Sequence, residues 1–256
     1  TAMTSGTTAY LRGVWGTSGT DIFAVGDGGT IVHYDGATWT AMTSGTNASL
    51  YGMWGSSGTN VFAMGSSGTI LRYDGTRWSA MASGTTQQLR GAWGTSRTDV
   101  FAVGDGGTIL HYDGAAWSAM TNPMGDGLYG VWGTSSTDVY AASWWWGGIL
   151  HYDGSTWSLM TGTRDRNAGL GGVWGSSSSE AWVFGQYGML WRSDGTAWTA
   201  VATGATSDLT GGWGTSGGSV YVTGYTGTIL RGVRGATVSL AAGSWAVAAQ
   251  GNQLQV

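Results

Sequence analysis

The chain is 256 residues long with 49 Gly, 17 Trp, one Pro and no Cys, and its 9% of charged residues leave a net charge of −4. All ten basic residues are Arg, a balance with no electrostatic footprint for nucleic acid or an anionic membrane. The lack of Cys removes disulfides, thiolate metal ligands and a thiol nucleophile. No run of about 18 apolar residues is present to insert into a membrane.

A Trp-Gly pair recurs at Trp15, Trp54, Trp93, Trp132, Trp174 and Trp213, with four intervals of 39 residues and one of 42. A fixed period of this length marks a chain assembled from copies of one small unit. It predicts one repeat domain over residues 1–256, with repeats starting near 15, 54, 93, 132, 174 and 213. A residue kept in every copy then reads as scaffold. A residue found in one copy reads as a candidate for function.

In chain order, residues 1–7 (TAMTSGT) match Thr40 onward in the first copy and are expected as a closing strand d. The first copy, VWGTSGTDIFAVGDGGTIVHYDGATWTAM over 14–42, holds four short β-branched and aromatic runs punctuated by Gly, Ser, Thr and Asp. These are strands a (around Leu11–Gly16), b (Ile22–Gly26), c (Thr30–Tyr34) and d (Trp39–Met42). Four strands in about 40 residues is one β-propeller blade, so the fold class is all-β. The strand-b aromatic recurs at Phe23, Phe62, Phe101, Tyr140, Trp182 and Tyr221. Asp-Gly, a turn-forming pair, recurs at Asp35, Asp74, Asp113, Asp153 and Asp194. The Trp four residues after each Asp (Trp39, Trp78, Trp117, Trp157, Trp198) is expected between neighbouring blades. Residues 244–256, SWAVAAQGNQLQV, align with Phe23–Tyr34 and are expected as closing strands b and c. Seven four-stranded blades follow, the last shared by both termini; the alternative is six blades with a C-terminal hairpin.

The stretch FAVGDGGTIVHYDGATW resembles the repeat of the photosystem II assembly-factor and BNR (Asp-box) propellers, which run roughly WAVGDNGTIL…DGG..W. The resemblance spans nearly the whole chain. It implies the propeller fold and transfers no activity.

His33, His111 and His151 share one strand-c position with Arg72, Arg192 and Arg231. Spread over separate blades, they cannot converge on one metal ion. Stacking on a Trp of the adjacent blade is their expected role. Asp21, Asn60, Asp99, Asp138 and Glu180 are expected as a–b turn formers. The GDGGT runs at Gly26 and Gly104 read as b–c turns, since no helix follows and the phosphate-binding Lys is missing. A weak cation site on Asp27 and Asp105 is the minor reading there. No metal, cofactor or catalytic residue is assigned.

Divergence between copies concentrates on the d–a and b–c loops of one face. The three extra residues of the fourth copy fall there, in SWWWGG (143–148) and TGTRDRNAG (161–169). Three consecutive Trp in a tight turn cannot all point inward. Exposed rings beside Arg, Asp and Asn suit a carbohydrate or other small polar ligand. The candidate ligand-binding residues are Trp144, Trp145, Trp146, Arg164, Asp165, Arg166, Asn167, Asp126, Tyr187 and Tyr225. The bland alternative makes the three Trp a plug or inter-blade packing. The function expected is a non-catalytic, lectin-like binding propeller, secreted or surface-displayed, with a cytosolic site left open. A protein–protein scaffold is the alternative. A glycosidase, which would need two carboxylates about 5–10 Å apart among Asp126, Asp165 and Asp208, ranks third.

Overall fold

A computed structural model describes residues 3–145, 147–163, 169–214 and 219–233. The fold is all-β, six antiparallel blades of the β-propeller kind. Blade 1 holds β1 (Leu11–Ser18), β2 (Asp21–Gly26), β3 (Ile31–Tyr34) and β4 (Trp39–Met42). Blade 2 holds β5 (Leu50–Ser57), β6 (Asn60–Gly65), β7 (Ile70–Tyr73) and β8 (Trp78–Met81). Blade 3 holds β9 (Leu89–Ser96), β10 (Asp99–Gly104), β11 (Ile109–Tyr112) and β12 (Trp117–Ala119). In blade 4, β13 (Leu128–Ser135), β14 (Asp138–Ser143), β15 (Ile149–Tyr152) and β16 (Trp157–Leu159) follow. Blade 5 runs through β17 (Leu170–Ser177), β18 (Glu180–Gly185), β19 (Leu190–Ser193) and β20 (Trp198–Ala200). Blade 6 has three described strands, β21 (Leu209–Gly214), β22 (Ser219–Gly224) and β23 (Ile229–Val233). Each strand pairs with its sequence neighbour, as short turns dictate. Blades 1–3 form one compact unit within residues 3–120, and blades 4–6 a second within 121–233. No helix among the described residues is long and apolar enough to cross a membrane.

Among the described residues the blades number six, where seven were expected. Residues 3–7 form no strand, and the expected strands b and c at 244–256 lie outside the described residues. The sequence match of residues 1–7 to strand d continues into the loop beyond it, and the described part adopts that loop. Ser5 Oγ donates to the Thr7 carbonyl at 3.2 Å, as Ser44 does to Thr46 and Ser83 to Thr85 at the same distance. Gly6 has φ 72°, matching 75° at Gly45 and 73° at Gly84.

The core lies between consecutive blades. Phe23, Val25 and Ile31 of blade 1 pack with Leu50, Val61, Ala63, Leu71 and Trp78 of blade 2. The same set recurs one blade on, with Phe62, Met64 and Ile70 against Leu89, Val100, Leu110 and Trp117. In the second unit, Tyr140 and Ile149 meet Leu170, Val183 and Trp198. Trp78, Trp117 and Trp198 therefore pack where expected, edge-on to the preceding blade's strand-b ring. The centroid distances are 6.2 Å for Phe23–Trp78, 6.1 Å for Phe62–Trp117 and 5.8 Å for Tyr140–Trp198.

The Trp-Gly pair has a packing cause. The rings of Trp15, Trp54 and Trp132 lie against the Gly of the next copy's pair, Gly55, Gly94 and Gly175. A Cβ on Gly55 would stand 2.6 Å from the Trp15 ring, and one on Gly175 2.5 Å from the Trp132 ring. At these three steps period and pair are one requirement, a large ring and a missing side chain facing each other between consecutive blades.

Blade 1 is the exception at its leading face. Leu11 and Val14 are 42% and 69% exposed, whereas Leu50 is fully buried and Met53 is 9% exposed at the matching positions of blade 2. Met3, Leu11, Val14, Ala24 and Trp39 line an apolar groove there.

Candidate functional site

The His and Arg side chains of the strand-c position are held within their own blades. His33 Nε2 lies 2.7 Å from Asp21 Oδ1, His111 2.7 Å from Asp99, and His151 2.8 Å from Asp138. Each imidazole also lies over its own blade's strand-b ring, at 4.3 Å for Phe23, 4.5 Å for Phe101 and 4.7 Å for Tyr140. Arg72 donates to Asn60 at 3.0 Å above Phe62, and Arg192 to Glu180 at 2.9 Å above Trp182. This corrects the expected partner. Strands b and c pair directly, so Phe23 sits opposite His33 in register and receives its ring.

The a–b turn acids accordingly do more than shape a turn. Burial alone would raise the Asp21 carboxyl. Hydrogen bonds from Thr17 and His33 outweigh it and hold the group below the usual carboxylate range. Asp138 balances the same way, with burial opposed by Thr134, His151 and Tyr140, and burial beside Asp138 pushes the Tyr140 phenol up.

The c–d aspartates are turn formers as expected. Asp35 Oδ1 accepts from the backbone N–H groups of Ala37 at 2.9 Å and Thr38 at 2.8 Å, and Asp74, Asp113, Asp153 and Asp194 repeat the arrangement. The Thr76 hydroxyl and the Arg77 and Thr76 amides bring Asp74 down to about 2, and the Ala197 and Thr196 amides with the Thr196 hydroxyl bring Asp194 to about 2. A carboxyl whose folded value lies below its unfolded value of about 4 stabilises above the unfolded value, and that contribution fades as pH falls through the folded one. Urea midpoints are therefore expected to fall between pH 4 and pH 2. A flat profile over that window would show that these turns contribute no pH-linked stability.

The variable face is built by one repeated backbone contact. In all six blades the first residue of the b–c turn donates its N–H to the carbonyl of the residue preceding the blade's first strand. The pairs are Asp27–Tyr10 at 3.0 Å, Ser66–Ser49 at 2.9 Å, Asp105–Gln88 at 2.8 Å, Trp144–Gly127 at 3.1 Å, Gln186–Gly169 at 2.8 Å and Tyr225–Asp208 at 3.0 Å. The b–c turn and the end of the d–a loop thus share one rim in every blade.

On the rim of the first unit, Asp27 and Asp105 are taken by guanidinium groups instead of a cation. Arg12 grips Asp27 through Nε at 2.5 Å and Nη2 at 2.9 Å, and Arg90 grips Asp105 at 2.5 and 3.0 Å. Tyr51 lies between them, its ring 5.3 Å from the Arg12 guanidinium carbon and 5.8 Å from that of Arg90. Sequence reading missed Arg12, Tyr51 and Arg90. The available signal was covariation, since Arg stands before the strand-a Gly only in the two copies that carry GDGG.

On the rim of the second unit the same two positions hold an aromatic pair. Tyr129 and Trp144 stack with centroids 4.7 Å apart and planes 15° apart. Trp144 is half-buried, and a Cβ on Gly171 would come within 3.2 Å of its ring. Trp145 projects outward at 67% exposed. A Cβ on Gly148 would stand 2.7 Å from Met124 Cε, so the d–a loop carrying Asp126 packs against the Trp turn. Asp126 is half-buried, and its carbonyl accepts from Asn122 Nδ2 at 3.2 Å. Tyr187 and Tyr225, on blades 5 and 6, are 66% and 64% exposed. Trp146 and Arg164, Asp165, Arg166 and Asn167 lie outside the described residues. The structure therefore brings Trp144, Trp145, Asp126, Tyr187 and Tyr225 to one rim of the second unit. The arrangement offers exposed rings beside amide and carboxylate groups.

No family model and no curated protein sequence matches the chain. Solved structures do. YCF48 bound to D1 peptide aligns with a TM-score of 0.71 at 16% identity, covering 91% of this chain and 81% of that one. YCF48 from Cyanidioschyzon merolae aligns with a TM-score of 0.67 at 14% identity over 88% of this chain and 82% of that one. Virginiamycin B lyase from Staphylococcus aureus gives 0.68 at 9% identity, over 89% and 96%. At these identities the likeness is one of fold, and it is the propeller of a photosystem II assembly factor that the repeat resembles.

Proposed function

We propose that the chain is a non-catalytic binding propeller that takes a carbohydrate on the variable rim of residues 121–233. The carrying observation is that three consecutive blades each present one aromatic ring there, Trp145, Tyr187 and Tyr225, between 64% and 67% exposed. A ring left in water costs stability that burial would have supplied, and contiguous exposed apolar surface on a folded domain marks an interaction site. Flat rings stack on the apolar faces of sugars, while neighbouring amide and carboxylate groups bond their hydroxyls. An extracellular or cell-surface location belongs to this reading. The test is a glycan array with the intact chain. Binding is expected and is expected to weaken by about tenfold or more in Trp145→Ala, as loss of one stacked ring implies. An array silent over neutral and acidic glycans would overturn the carbohydrate reading.

A second reading is favoured by one finding, the alignment with YCF48 bound to D1 peptide. In it the same rim takes an extended peptide, with the rings in side-chain pockets. A silent glycan array followed by ring-dependent binding in a random peptide library would select it.

A further inference from the structure

The second residue of the b–c turn adopts a left-handed backbone in five blades, with φ 64° at Gly28, 54° at Ser67, 61° at Gly106, 54° at Tyr187 and 59° at Thr226. Glycine takes this conformation freely, and blades 1 and 3 use it. A large aromatic residue there works against its own backbone preference. Tyr187 recovers none of that cost by burial, since its ring is 66% exposed. Strain of this kind persists where surrounding structure imposes it, and it collects at functional sites.

The turn itself imposes it, at Ser67 and Thr226 as at Tyr187, and Asp208 adds a bond to the turn that carries Tyr187. Its Oδ1 accepts from the Tyr187 N–H at 3.1 Å, and its carbonyl accepts from the Tyr225 N–H at 3.0 Å. The carbonyl bond is the one every blade makes. The side-chain bond to the preceding blade's turn is an addition. One residue thus ties together the tips of two adjacent turns, each bearing an exposed Tyr.

Resting on the carbohydrate reading, we propose that Tyr187 and Tyr225 form a two-ring subsite for a neutral linear oligosaccharide. Asp208 is the positioning residue that sets the two rings relative to each other. Two rings held by one residue suit two sugar units of a chain better than a single sugar. The carboxylate of Asp208 between them, in a chain of net charge −4, disfavours uronate and sulfated sugars.

The test is titration of the intact protein with cellohexaose, chitohexaose and mannohexaose, with a urea midpoint recorded for each variant. At least one hexasaccharide is expected to bind. Tyr187→Gly is expected to weaken it about tenfold while raising the urea midpoint, a combination that loss of fold cannot produce. Asp208→Ala is expected to weaken it by a similar factor. Asp208→Asn should stay within about twofold of the parent, because the amide oxygen still accepts from the Tyr187 N–H. Parental affinity in both Tyr187→Gly and Asp208→Ala, with binding lost in Trp145→Ala, would overturn the subsite and leave the carbohydrate reading standing. An equal loss in Asp208→Asn and Asp208→Ala would overturn the positioning role. No binding of any hexasaccharide would overturn the subsite, and a silent glycan array beside it would overturn the broader reading too.

Discussion

Phe62→Ala is expected to destabilise the chain by about 3–5 kcal/mol, a cost typical of removing a fully enclosed aromatic ring. Phe62 is fully buried and sits at an inter-blade junction. Its ring lies 5.7 Å from Tyr112 and 6.1 Å from Trp117 of the next blade, and 5.6 Å from the Arg72 guanidinium of its own. Alanine leaves a cavity bordered by rings that β-sheet hydrogen bonds hold in place, so the site cannot collapse around it. Equilibrium urea unfolding followed by Trp fluorescence measures the loss. A cost below about 1 kcal/mol would mean that the blades do not share a core as described.

Arg192→Leu carries the second large effect, about 2–4 kcal/mol, because it leaves a carboxylate buried without its cation. Glu180 is 3% exposed and accepts from Arg192 Nη2 at 2.9 Å and from Trp182 Nε1 at 3.2 Å. The Arg192 side chain is 33% exposed, and solvent screening at that end keeps the expected cost toward the lower part of the range. The matching change in blade 2 is an internal control. Arg72 meets the neutral Asn60 at 3.0 Å, so Arg72→Leu removes a hydrogen bond and orphans no charge, at about 1 kcal/mol. Equal costs in the two variants, again by urea unfolding, would show that the Glu180 charge is not what makes Arg192 necessary.

The part of the candidate site that sequence could reach was its location. Copies that agree everywhere else diverge in the b–c and d–a loops, and those loops do meet on one rim in each blade, joined by the Asp27–Tyr10 type of backbone bond. Which of three consecutive Trp is exposed was not legible. Trp144 finds a stacking partner in Tyr129, fifteen residues earlier, while Trp145 finds none of that kind among the described residues and projects into solvent. The left-handed backbone of Tyr187 was hidden for a related reason. Local propensity argues against it, yet the turn imposes it in five blades, and a carboxylate from the next blade, Asp208, bonds it at Tyr187.

What the sequence determined by itself was everything periodic. The 39-residue spacing of Trp-Gly, the Asp-Gly turns and the strand-b aromatics each express a contact repeated between one copy and itself or its neighbour, so the same residues must recur at the same interval. Tertiary structure alone decided the exceptions. It gave six blades among the described residues, and it put Thr4–Thr7, which resemble strand d and its loop together, into the loop. It also gave His33 to Phe23 and Asp21, and Asp27 to Arg12, because partner choice depends on strand register and on distances across a sheet. A period carries the contacts that every copy makes. Those made once depend on which side chains the fold happens to bring within reach.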